Sequence, residues 1–143
     1  MPFRIHPTVA ETIETHRLLI EEFGGLHGIR DMELLESAVF RPQNGYYSGL
    51  IEEASALMES LANNHAFIDG NKRVSFVMTD AMLRANGYFL DVEPFEAHKL
   101  ITEAMERNGF RFPVIRDWIT SIIKVLIIEE SRVQKKSSKM PRQ

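Results

Sequence analysis

The chain of 143 residues contains no cysteine, and that one absence removes a disulfide framework, a thiolate zinc site and a cysteine nucleophile together. No apolar run approaches the roughly 20 residues that a membrane-spanning helix requires. The start, Met1-Pro2-Phe3-Arg4, lacks the long apolar stretch of a secretory signal. The expectation is a cytoplasmic protein with no membrane association. Acidic residues are missing from residues 132–143, where Arg132, Lys135, Lys136, Lys139 and Arg142 stand. The whole chain carries a net charge of −3, so everything outside that run is more acidic than the total. An acidic body argues against a general nucleic-acid binder, leaving only weak contact through the basic run. The organisation expected is one compact domain over residues 1–128 and a basic, disordered tail over 129–143.

Glycine and proline are also sparse, at 8 and 6 residues, and many of them fall at breaks between stretches of helical periodicity. The fold class predicted is all-α, a compact bundle of about six helices. Thr8 and Glu11 form a capping box, after which Val9, Ile13, Ile20 and Phe23 share a face until Gly24-Gly25. A second helix starts at Asp31, carries Leu34, Leu35, Ala38 and Val39, and stops at Pro42. Residues 41–49 read as a loop. A third helix bears Ile51, Ala54, Ser55, Met58, Leu61 and Ala62 and ends near Asn63-Asn64. The fourth, predicted to be central, places Val74, Val77, Met78, Ala81, Met82 and Ala85 on one stripe before Asn86-Gly87. Tyr88 to Val92 reads as a short extended piece. Pro94 opens a fifth helix and Pro113 a sixth, whose Ile115, Trp118, Ile119, Ile122, Ile123, Leu126 and Ile127 predict a helix continuing to the end of that run, deeply packed or, as the alternative, partly committed to a partner subunit.

His65-Ala66-Phe67-Ile68-Asp69-Gly70-Asn71-Lys72-Arg73 crowds an imidazole, a carboxylate, an amide and two cations into the loop that feeds the central helix. Singly, each has a structural explanation: Asn71 as an N-cap, Gly70 as a turn, Asp69 as a partner of the helix dipole, His65 as a hydrogen-bonded loop residue. Together they compose an anion site, because the free N–H groups of a first helical turn and its positive end favour phosphate. Gly70 lets the backbone come close, Lys72 and Arg73 add cations, and Arg73 can grip a phosphate through two parallel bonds. Asp69 offers a hard oxygen to Mg²⁺, which takes one or two carboxylates and fills the rest with waters and phosphates. His65 is the general base, since its ordinary pKa lies near working pH. Phe67 has no chemistry and reads as a core anchor. The order Asp-Gly-Asn lacks the later ligands of a calcium loop, and no Gly-rich stretch ends in Gly-Lys-Ser/Thr. A metal hydrolase using His65 and Asp69 would need further ligands, and His6, His16, His27 and His98 fall in no ligand spacing.

The segment His-x-Phe-x-Asp-Gly-Asn-Lys-Arg resembles the signature loop of the Fic/Doc family, in its death-on-curing (Doc) branch. Residues 22–31, Leu35-Glu36-Ser37-Ala38 and Arg41-Pro42-Gln43 also resemble Doc-type proteins. The resemblance implies an all-α core whose motif loop binds Mg²⁺ and ATP or another nucleoside triphosphate, with a flap, here between Arg41 and Leu50, holding the target segment. By analogy His65 deprotonates the target hydroxyl, Asp69 holds the metal, and Gly70, Asn71 and Arg73 cradle phosphates. Fic proteins that transfer AMP have Gly where this chain has Lys72 and a second Arg where it has Phe76. Both departures point to Doc, in which the nucleotide binds reversed and the terminal phosphate is transferred to a Ser/Thr hydroxyl. The branch acts as a toxin on translation, with an elongation factor as target, and is silenced by an antitoxin protein. Gly70 departs from the prototype Doc loop, which carries Ala. No Ser/Thr-x-x-x-Glu-Gly/Asn inhibitory motif appears, so restraint is expected from a separate protein. The competing expectations are AMP transfer to a protein and, in another class, a catalytically silent binding module.

Overall fold

Two helices with apolar residues on two faces each organise the chain, and the others pack to either side of them. In the computed structural model, which describes residues 3–127, these are α3 (Leu50–Asn63) and α4 (Asn71–Ala85). Ala54, Met58 and Ala62 recur every four residues along one side of α3, while Leu57 and Leu61 face another. On α4, Val74, Met78 and Met82 face one side, and Phe76 and Leu83 the other. A helix buried on two faces must sit between layers. One layer is formed by α5 (Pro94–Glu106), α6 (Phe112–Ile122) and strand β1 (Tyr88–Leu90), which bring Leu90, Ala97, Ile101, Ile115 and Ile119. The other is formed by α1 (Val9–Phe23), α2 (Met32–Phe40) and the motif loop, which bring Leu35, Ala38, Val39, Ala66 and Phe67. The all-α prediction, the central fourth helix and the core role of Phe67 are therefore met.

Four expectations are corrected. The stripe predicted on α4 was too narrow: Ala81 and Ala85 are exposed, while Phe76 and Leu83 are buried. Their face lay hidden because a helix packed on both sides loses simple periodicity. The sixth helix does not run on to Ile127. It ends at Ile122, and Ile123–Val125 form strand β2, antiparallel to β1 with Leu90 opposite Ile123 and Tyr88 opposite Val125. β-Branched residues suit an extended backbone, and Asp91 N to Ile122 O (2.8 Å) and Leu126 N to Gly87 O (2.9 Å) extend the pairing. Asn71 is not the N-cap of α4; Gly70 is, in the left-handed region at φ 77°. On α1 the capping box is present, but the buried line is Thr12, His16 and Ile20, with Phe23 left exposed. The basic run predicted as a tail lies outside the described residues. Among the described residues no helix is long and apolar enough to cross a membrane.

Candidate active site

The loop from Asn64 to Gly70 is held first by the segment that follows α1. Ile29 and Phe67 form an antiparallel bridge. Around it, Arg30 N and Asp31 N both donate to Ala66 O (2.7 and 3.0 Å), and Ile68 N donates to Gly28 O (3.0 Å). The Arg30 side chain completes the clamp: Nε donates to His65 O at 2.6 Å and a terminal nitrogen to Asn64 O at 3.2 Å. Those carbonyls belong to a turn in which His65 takes φ 53°, a conformation uncommon outside glycine and asparagine. The guanidinium is one of the groups that hold this turn in place.

From the other side α1 reaches the loop through His16. Its ring stacks on Phe67 with centroids 3.8 Å apart and planes within 7°, and Nε2 donates to Asp69 O at 2.7 Å. His16 is 3% exposed, and burial holds its ring below the usual histidine range against the opposing pull of the Asp69 carbonyl. A neutral ring suffices for the bond. Gly25 and Gly70 are the close approaches that make this possible: a Cβ on Gly25 would stand 2.8 Å from Asp69 Oδ2, and one on Gly70 would meet Ile20 Cδ1 at 3.1 Å.

The motif side chains then divide by task. Asn71 turns back into the loop, accepting from Phe67 N (3.0 Å) and donating to Phe67 O (2.9 Å), so it locks the turn. No side chain caps α4, which leaves the first-turn N–H groups open to a ligand. Asp69 is exposed; Oδ2 accepts from Leu26 N at 3.1 Å and Oδ1 from Gly70 N at 2.9 Å. These bonds fix the carboxylate while leaving lone pairs on both oxygens. Arg73 lies over the Phe23 ring at 4.3 Å, a cation–π contact that places its guanidinium beside α1.

His65, Asp69, Gly70, Asn71, Lys72 and Arg73 all line one cleft of about 710 Å³, a size suited to a small-molecule ligand. Its far wall comes from residues that reasoning on the sequence passed over: His98, Thr102 and Glu106 on α5, then Asn108 and Arg111. A second, more apolar hollow of about 440 Å³ adjoins it, bordered by Leu19, Phe23, Phe76, Val77 and Phe95. The segment expected to be the flap begins with a 3-10 turn, Arg41–Gln43, and Arg41 anchors it by donating to the Tyr47 hydroxyl (2.7 Å), Glu59 (2.8 Å) and Ser60 (2.8 Å). Tyr47 stacks on Phe112, the neighbour of Arg111. Of the residues missed, Arg30 and His16 could have been suspected only by knowing which segments meet.

Asp69 fits a magnesium ion as a single hard ligand with two fixed oxygens. Among the described residues no three His, Cys, Asp or Glu side chains gather into a metal-holding group, so such an ion would share its coordination with phosphates and water. That also counts against the hydrolase alternative, which needs protein ligands in number.

Two comparisons bear on this arrangement. Toxin Doc of Mycolicibacterium smegmatis is 40% identical over 93 residues, which span 60% of this chain and 72% of that protein. A model of the Fic/DOC family matches residues 6–83, from the segment before α1 through nearly all of α4. That stretch contains the helix–loop–helix framework and every residue of the signature loop, and the chain belongs to the Fic/DOC family.

Proposed function

We propose that this protein is a Doc-type toxin of a toxin–antitoxin pair that transfers the terminal phosphate of ATP, or another nucleoside triphosphate, to a Ser/Thr hydroxyl of a protein target. The observation that carries this reading is the convergence of all six motif residues on one cleft at an uncapped helix N-terminus. The triphosphate lies against the first-turn N–H groups, with Lys72 and Arg73 as its cations. Asp69 would hold Mg²⁺, which when bound would supply neutralisation of phosphate charge. The His65 imidazole accepts the proton of the target hydroxyl as its oxygen forms a bond to the terminal phosphorus. The bond from that phosphorus to the bridging oxygen breaks and the nucleoside diphosphate departs. Lys72 supports the reversed pose, because its long side chain occupies the ground that AMP-transferring relatives leave to glycine. The target is a translation factor by resemblance, and an antitoxin protein is the partner that restrains the site.

Expression of the wild-type chain in growing cells tests this. Incorporation of labelled amino acid should fall soon after induction, and His65→Ala at equal soluble level should leave it unchanged. Undiminished incorporation with folded wild-type protein present would remove the toxin reading and favour a silent binding module.

A further inference from the structure

Three residues border both hollows: Lys72, Arg73 and His98. Two are permanent cations on α4, and the third is an imidazole on α5, facing them where the polar cleft gives way to the apolar one. One turn further along α5, Thr102 also lines the cleft. Its Oγ1 is, among the described residues, the one buried side-chain polar atom with no hydrogen-bond partner. Helical threonines commonly return the hydroxyl to the carbonyl four residues back, as Thr79 does here to Ser75 O at 2.7 Å. Such an idle hydroxyl is left to pair with a molecule from outside the chain, ligand or water.

We propose that α5 forms a proton-linked wall of the nucleotide site: His98 takes up a proton from solvent as a triphosphate binds and donates a charged hydrogen bond to a phosphate oxygen, while the Thr102 hydroxyl pairs with the same ligand one helical turn away. The proposal rests on the nucleotide reading of the cleft. In the free protein burial, then Arg73 and Lys72, hold the His98 ring below the usual histidine range, so it is neutral near pH 7. A polyanion seated on Lys72 and Arg73 cancels their repulsion and adds an attraction of its own, which moves the ring back toward the charged form. The other charged or titratable groups around it are His65 and Asp69 on the opposite wall of the cleft, Glu106 and Arg111 on its own wall, and Glu93 beside the second hollow. From α1 only Leu19 and Phe23 face that hollow, and neither titrates. Helix α5 lies beyond the residues 6–83 matched by the family model.

Calorimetric titration of the full chain with Mg²⁺ and a non-hydrolysable ATP analogue, in two buffers of different ionisation enthalpy at pH 7, reads the proton directly. Wild type should take up protons on binding. His98→Gln should take up fewer, bind roughly ten- to a hundredfold more weakly below pH 7, and follow only the titration of the nucleotide's own phosphate. Thr102→Val should weaken binding with no loss of thermal stability, since the hydroxyl has no partner in the free protein. Proton uptake and affinity in His98→Gln equal to wild type would overturn the proposal while leaving the nucleotide reading intact. Failure of wild type to bind the analogue at all would overturn both.

Discussion

The φ of 53° at His65 ties local backbone geometry to chemistry, because a turn of that kind points a side chain away from the regular elements on either side. The imidazole lies exposed in the cleft and contributes nothing to the core. His65→Ala should therefore reduce transfer by about 10²-fold or more and shift unfolding free energy by no more than about 0.5 kcal/mol; activity assays beside thermal melts check both. Retained transfer would mean that another group takes the proton. Gly25 makes the complementary case. It has φ 115°, and a Cβ there would stand 2.8 Å from the carboxylate of Asp69, which is held in place. Gly25→Ala should cost activity through displacement of Asp69, and raising Mg²⁺ should restore part of it. Full activity at low Mg²⁺ would show that the position of Asp69 is not critical.

At the scale of elements, the motif loop is a bridge between α1 and α4, and His16 is the pin from the α1 side. His16→Phe keeps the stack on Phe67 but removes the bond to Asp69 O, so it should destabilise by about 1–2 kcal/mol near neutral pH. The pH dependence follows from the lowered pKa of the buried ring. In the unfolded chain His16 takes up its proton as pH falls through about 6.5, its ordinary value. The folded ring takes it up only at lower pH. Between the two the unfolded state binds more protons, so stability is present above about 6.5, declines as pH falls through that window and levels off below the folded value. Denaturant midpoints from pH 7.5 to 5 should fall less steeply for His16→Phe than for wild type; equal slopes would place the proton elsewhere. This contact also shows what the sequence could and could not disclose. The capping box, the proline-initiated helices and the contiguous motif His65 to Arg73 are local signals and were legible. His16 and Arg30 meet the loop, and His98 and Thr102 line the cleft beside it, only through tertiary packing, with His16 lying 53 residues from Asp69, and no spacing rule brings them together. The β1–β2 pairing was half legible: Tyr88 to Leu90 read as extended, whereas Ile123 to Val125 continued a helical apolar pattern until a partner strand claimed it.

For the whole molecule, two layers packed on a central helix pair create one polar cleft whose near wall lies within the family match and whose far wall lies beyond it. Under the proposed function the near wall carries the phosphate chemistry, and Lys72 at the junction decides which phosphorus faces the hydroxyl beside His65. Purified protein, Mg²⁺ and a translation-competent lysate, supplied in parallel with ATP radiolabelled at the γ or the α position, test that most directly, with His65→Ala as the control for background kinases. The prediction is a protein band labelled from the γ position only, absent with His65→Ala and lost with Lys72→Gly. Label from the α position with the wild-type chain would mean AMP transfer and would contradict the phosphotransfer assignment.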